Sequence, residues 1–142
     1  MVILSIGGNL GNVPESLQAA LQLLQAQGFR MTRCSAPYRN PAVGCEPGAP
    51  EFWNWAVTGE WTGSPEELLA LAQKVEVQLG RPKDHPHWHS RTLDIDIVEC
   101  NGERRNSPAL TLPHPRWRER TFVLLPLQEV APQWLKAHGI SL

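Results

Sequence analysis

The run Leu93-Asp94-Ile95-Asp96-Ile97 constrains the fold more than any other stretch of this chain, because apolar and acidic residues alternate in it with a period of two. A strand sends successive side chains to opposite faces, so Leu93, Ile95 and Ile97 take a buried face and both carboxylates project from the other. Two carboxylates this close repel one another unless a cation lies between them. Mg²⁺, which takes one or two carboxylates and completes its shell with substrate phosphates, suits such a pair. The bland alternative is a solvated sheet face, the usual meaning of an isolated D-x-D. Arg91, three residues before Asp94, and Arg81 further upstream favour the chemical reading, since guanidinium groups beside a bound cation can clamp phosphates.

The rest of the chain supports one domain over residues 1–142, with 42% hydrophobic residues and no linker or repeat. Ten of the 13 cations are arginine and three of the 14 anions are aspartate, two of them in the pair above. Arginine enrichment suits phosphate recognition, while a net charge of −1 gives no general field for nucleic acid or an anionic membrane. Neither a membrane-length apolar run nor a basic leader is visible, so a cytoplasmic protein that binds small molecules is expected. A monomer is expected too. Cys34, Cys45 and Cys100 lack CxxC spacing and read as ordinary thiols.

Met1 to Ile6 reads as a buried strand, followed by a turn at Gly7-Gly8-Asn9 and Gly11. A helix starts at Asn12, with Glu15 three residues on, and carries Leu17, Ala20, Leu21 and Leu24 on one stripe before Gly28. Strand character follows from Phe29 to Tyr38, then a loop over Asn40 to Pro50. From Phe52 to Trp61 a strand places Phe52, Asn54, Ala56 and Thr58 on one face and Trp53, Trp55 and Val57 on the other. The second helix is framed by Ser64 as N-cap, Pro65 at the first turn, Glu67 closing a capping box, and Gly80 as stop. Arg81 to Arg91 reads as a loop, Thr92 to Glu99 as a strand, Asn101-Gly102 as a tight turn and Trp117 to Leu127 as a helix. This order predicts an α+β sandwich, a mostly antiparallel sheet with helices packed on one face.

Other clusters carry less. His85, His87 and His89 alternate, but no cysteine or carboxylate joins them, so a solvated loop competes well against zinc binding. Gly7-Gly8-Asn9-Leu10-Gly11 lacks the lysine of a P-loop and the spacing of a dinucleotide fingerprint. His114, between two prolines, reads by itself as a turn residue.

Four segments in order resemble one family: Gly7-Gly8-Asn9-Leu10-Gly11, Tyr38-Arg39-Asn40-Pro41, Trp88-His89-Ser90-Arg91-Thr92-Leu93-Asp94-Ile95-Asp96-Ile97 and Leu110-Thr111-Leu112-Pro113-His114-Pro115. Together they resemble hydroxymethyldihydropterin pyrophosphokinase, from Ile3 to about Pro132. The resemblance implies a ferredoxin-like α+β sandwich and transfer of pyrophosphate from ATP, the co-substrate, to the hydroxymethyl group of a reduced pterin, with two Mg²⁺ ions. It implies Asp94 and Asp96 as metal ligands and, with Arg81 and Arg91, as the catalytic set. It implies Gln73, Arg81, Lys83, Arg91, Ile97, His114 and Arg120 on the ATP side. For the pterin it implies Asn40, Pro41, Val43, Phe52, Asn54, Trp88 and Phe122. Two aromatic rings can sandwich a flat heterocycle, and an amide offers it both a donor and an acceptor.

The chain departs from the family pattern at Trp88-His89-Ser90-Arg91, where Trp-Gly-Pro-Arg is usual, at Gly8 for a common serine, at Phe52 for a frequent tyrosine and at Ala109 for an arginine found in some members. These departures leave open a diverged paralogue acting on another pterin, or an inactive one. A different class, an RNA- or metal-binding module on the same fold, would have to use the arginines or the histidine triplet. The lack of a basic surplus and of an RNP-type aromatic motif argues against RNA.

Overall fold

The computed structural model describes residues 1–40, 48, 50–80 and 93–140. Strand β1, Val2–Gly8, lies between β4, Phe52–Glu60, and β5, Asp94–Cys100, antiparallel to both. On the far side of β4 lie β2, Arg30–Cys34, and β3, Tyr38–Asn40, each antiparallel to it. The strand order is β2-β4-β1-β5, with β3 also on β4, which leaves β5 at the edge of the path. Arg105–Asn106 (β6) and Thr111–Leu112 (β7) pair with one another rather than extending the sheet. The single strand expected between Phe29 and Tyr38 is thus two short ones, and β1 runs two residues further than expected, through Gly7 and Gly8.

Helix α1, Val13–Ala26, begins where Asn12 Oδ1 accepts the backbone N–H of Glu15, at 3.2 Å. In α2, Pro65–Gln78, Ser64 and Glu67 complete a reciprocal capping box. Leu17, Leu21 and Leu24 of α1 and Leu68, Leu71 and Val75 of α2 pack against Val2, Leu4, Ile6, Trp55, Val57, Ile95 and Ile97. Within each strand these residues are spaced by two, and the register sets them side by side, so α1 and α2 cover one face of the sheet, as the alternation at 93–97 requires.

The opposite face meets a second helical layer that the sequence did not reveal. After a 3-10 turn at Trp117–Glu119, α3, Thr121–Val130, and α4, Pro132–Ala137, bring Trp117, Val123, Leu127, Val130 and Leu135 onto Ile3, Ala56 and Val98. Glu129 holds α3 to the sheet margin by accepting the Ala36 N–H at 3.0 Å. Pro126 inside α3 removes one N–H from the ladder. The α+β sandwich with a mostly antiparallel sheet stands as predicted, with helices on this face as well as the expected one.

Between Ile97 and Glu99 the strand carries an extra residue: Leu4 faces Ile97 while Ile3 faces Glu99, a β-bulge at Val98. At the turn that follows, Asn101 and Gly102 both have positive φ, 54° and 72°, as a type I′ turn requires, and the Glu103 N–H closes it on the Cys100 carbonyl at 2.9 Å. No helix among the described residues is long and apolar enough to cross a membrane.

Candidate active site

Asp94 and Asp96 project from the face that α3 and α4 only partly cover. Both are half-buried. Two residues apart along a strand, they stand roughly 7 Å from one another, and their mutual repulsion is worth roughly 2 kcal/mol at an effective dielectric near 20. Register fixes their neighbours. Asp94 lies opposite Gly7 of β1, Gly7 opposite Asn54 of β4, and Asn54 opposite Tyr38 of β3. One row across the sheet therefore reads Asp94, Gly7, Asn54, Tyr38, and two strand spacings put Asp94 and Asn54 about 10 Å apart.

Gly7 is what opens this row. A Cβ built there would lie 2.5 Å from Asn54 Oδ1 and 3.0 Å from the Trp53 carbonyl oxygen. The Asn54 amide therefore occupies the space a side chain at position 7 would fill, its oxygen over β1. Its Nδ2 donates to the Tyr38 carbonyl at 3.4 Å and to Asn40 Oδ1. Asn54 is 6% exposed, and among the described residues no N–H or O–H donates to its Oδ1. Phe52, two residues along β4 on the same face and opposite Asn40, is half-buried, and Phe122 of α3 packs at the border of the second core.

His114 reaches the same face from beyond β7. Its backbone N–H donates to the Val98 carbonyl at 3.0 Å, and its Nδ1 accepts the Arg116 N–H at 3.2 Å, so the neutral ring carries its proton on Nε2. Burial pushes the His114 pKa below its ordinary value. The Arg120 guanidinium lowers it further, and the Asp94 carboxylate opposes both. That coupling brings His114, Arg120 and Asp94 into one electrostatic neighbourhood. Arg120 also lies over the Phe122 ring, 5.7 Å from its centroid.

Of the other expected site residues, Ile97 sends its side chain into the α1–α2 core, 4% exposed, so only its backbone reaches the sheet edge. Gln73 is exposed on α2, in the helical layer on the opposite side of the sheet. Pro41, Val43, Arg81, Lys83, Trp88 and Arg91 lie outside the described residues, as does the histidine triplet. Among the described residues no three His, Cys, Asp or Glu side chains gather as a metal-binding group. A pair of hard oxygen donors fits Mg²⁺ that shares its shell with a substrate's phosphates, rather than a resident metal caged by protein. A cavity of about 260 Å³ lined by Glu99, Glu103, Trp134 and His138 lies at the other end of β5 and includes none of the expected site residues.

Residues 3–132 match the family described as 7,8-dihydro-6-hydroxymethylpterin-pyrophosphokinase. The chain belongs to this pyrophosphokinase family. Among similar proteins is the 2-amino-4-hydroxy-6-hydroxymethyldihydropteridine pyrophosphokinase of Synechocystis sp., 38% identical over 134 residues that make up 94% of this chain and 67% of that one. The Bacillus subtilis protein of the same name is 39% identical, covering 92% of this chain and 77% of its own. The folate synthesis bifunctional protein of Arabidopsis thaliana is 34% identical over 129 residues, 91% of this chain but 26% of that protein.

Two residues of this pyrophosphokinase domain escaped the sequence reading. Asn9, 2% exposed, donates from Nδ2 to the Pro50 carbonyl at 3.0 Å and so ties the β1–α1 turn to the segment leading into β4. Glu76 of α2, 7% exposed, accepts the Ile95 N–H at 2.6 Å. An asparagine after two glycines is a faint signal for the first. Nothing in the sequence marks the second, whose partner is a backbone group.

Proposed function

We propose that this chain transfers the β,γ-pyrophosphoryl group of ATP to the hydroxymethyl group of 6-hydroxymethyl-7,8-dihydropterin, giving AMP and the pterin diphosphate in folate biosynthesis. Beyond family membership, the observation that carries this reading is the single row in which Gly7 separates the Asp94 carboxylate from the Asn54 amide. The acidic end suits a cation-bound triphosphate. The amide end suits the amino-pyrimidinone edge of a pterin, with Asn54 Oδ1 accepting from a ring N–H or amino group.

Asp94 and Asp96 would hold two Mg²⁺ ions, which neutralise the triphosphate and so favour attack on it. The pterin oxygen forms a bond to the β-phosphorus as the bond from that phosphorus to the α,β-bridging oxygen breaks. AMP leaves with the bridging electron pair, and the hydroxyl proton passes to solvent. In this reading His114, donating from Nε2, and Arg120 bind phosphate oxygens together with Arg81, Lys83 and Arg91, which the nearness of His114 and Arg120 to Asp94 supports. Arg81 and Arg91 act on the charge that develops at the leaving oxygen, an interaction stronger in the transition state than in the ground state. Phe52, Phe122 and Trp88 enclose the pterin ring, and Asn40, Pro41 and Val43 complete its pocket. Gln73 and the Ile97 backbone are assigned to the nucleotide.

Purified protein incubated with Mg-ATP and the hydroxymethyldihydropterin should form AMP in an amount equal to the pterin consumed, and should form none without the pterin. Folded protein that binds ATP yet forms no AMP would overturn the assignment in favour of a paralogue for another pterin.

A further inference from the structure

Glu76 sits badly by the ordinary rules of helices and cores. It lies in the last turn of α2, where the helix dipole disfavours an anion. It is also buried, beside the apolar stripe of Leu68, Leu71, Ala72 and Val75, at a position a leucine or methionine would fill without the cost of desolvating a carboxylate. Its carboxylate accepts the N–H of Ile95, 19 residues on, at 2.6 Å.

Ile95 is the residue between the two aspartates. On an edge strand, backbone N–H groups point alternately to the neighbouring strand and outward. Because the Ile95 N–H goes outward to Glu76, those of Asp94 and Asp96 face β1, where Gly7 and Ser5 are their partners. The peptide chain beneath the aspartate pair is thus pinned from both sides, by β1 at the two acidic residues and by Glu76 at the one between.

We propose that Glu76 is a positioning residue for the Asp94–Asp96 pair: its bond to Ile95 holds the edge strand so that both carboxylates keep the separation and direction that a divalent cation bridging to phosphates requires. This rests on the assignment of Asp94 and Asp96 as ligands made above. Glu76 belongs to α2, in the helical layer packed on the face of the sheet opposite the two carboxylates, so it acts through the Ile95 backbone.

The test uses Mn²⁺ as the probe, titrated into the full chain with a non-hydrolysable ATP analogue, together with hydrogen exchange at the Ile95 amide and steady-state kinetics. In Glu76→Ala, Mn²⁺ affinity should fall about 10-fold or more, as is usual when a group orienting a ligand is removed, and kcat should fall with it. The KM for the pterin should stay within about twofold and Ile95 exchange should accelerate, while exchange at Val57, in the middle of β4, stays slow. Glu76→Gln keeps an acceptor of the same reach and should restore Mn²⁺ affinity to within about threefold of wild type. Glu76→Asp keeps the charge but is one methylene short, so it should behave as the alanine variant does. It carries the test alone if Glu76→Ala does not fold.

Wild-type Mn²⁺ affinity in Glu76→Ala or Glu76→Asp, or failure of Glu76→Gln to restore it, would overturn the proposal. Asp94→Asn is the control for the reading beneath it. If that variant keeps Mn²⁺ affinity, the ligand assignment fails; if it loses affinity while the Glu76 variants do not, the positioning role alone fails.

Discussion

Replacing Gly7 with alanine tests the row that joins the two ends of the site. The backbone at Gly7 is extended, so alanine meets no conformational barrier, and removing a glycine from a strand interior would by itself stabilise the protein by about 0.5–1 kcal/mol. Against this, the new methyl group would stand 2.5 Å from Asn54 Oδ1, so the amide must retreat by about 0.9 Å to reach ordinary contact at 3.4 Å. The Trp53 carbonyl, 3.0 Å away, is backbone and yields only if β4 bends. Overpacking of this kind costs about 1–3 kcal/mol, so the net loss should be about 1–2 kcal/mol, seen as a melting temperature lower by about 3–8 °C. The retreat also pulls Nδ2 from the Tyr38 carbonyl and Asn40, leaving the amide misaligned for the pterin. Losing one or two such bonds in the complex corresponds to a rise of about 10-fold in the pterin KM, with the KM for ATP little changed. Thermal denaturation and initial-rate kinetics on one preparation measure both effects. A Gly7→Ala protein that melts at or above the wild-type temperature and keeps the wild-type pterin KM would refute the reasoning.

Gly59→Ala offers a contrast, since its Cβ would overlap the Phe29 ring and lie 2.6 Å from the Arg30 carbonyl, far from the acidic row; a loss of about 3 kcal/mol is expected in denaturant unfolding, with kcat and both KM values of the folded protein unchanged. Asp94→Ala and Asp96→Ala should each abolish AMP formation in protein that still folds, read as AMP formed from Mg-ATP and the pterin beside an unchanged circular dichroism spectrum; normal activity in either variant would sink the metal assignment. His114 is held below its ordinary value of 6.5 by burial, so the unfolded chain takes up the proton first as pH falls. Its contribution is complete above pH 6.5 and declines as pH drops through that value toward the folded pKa; His114→Gln should flatten the melting temperature's pH dependence in this window, and an unchanged profile would contradict it.

What the sequence made legible was what local rules dictate. The Ser64–Glu67 capping box and the Asn12 cap are satisfied within four residues, so both helix starts could be read directly. The alternation at Leu93 to Ile97 assigned both carboxylates to one face, and that of Phe52 to Thr58 set Asn54 apart from the tryptophans; the common face emerged only from the register through β1. Partners remote in sequence stayed hidden. Glu76 looks like any polar residue of an amphipathic helix until the Ile95 N–H arrives beside it, and the second helical layer depends on Trp117 and Leu127 meeting Ile3 and Val98 across most of the chain. Ile97 shows the limit of matching by resemblance: the alternation already sends its side chain to the buried face, away from the acidic pair, so only its backbone is left for the nucleotide side to which the resemblance assigns it.

The extra residue at Val98 acts on the strand as a phase shift. Ahead of it, odd-numbered residues Ile95 and Ile97 enter the α1–α2 core; beyond it, that place passes to the even-numbered Cys100, and Glu99 is spared from entering an apolar layer. Val98 meanwhile fills the opposite core, and the Glu99 carboxylate is free to accept the Gly102 N–H at 2.6 Å and support the following turn. The two halves of β5 thus answer to different constraints. The first is fastened to β1 along the acidic pair and to Glu76 at Ile95, the second to the turn at Asn101 and Gly102, and a change of length beyond the bulge can be absorbed there before it disturbs the aspartates.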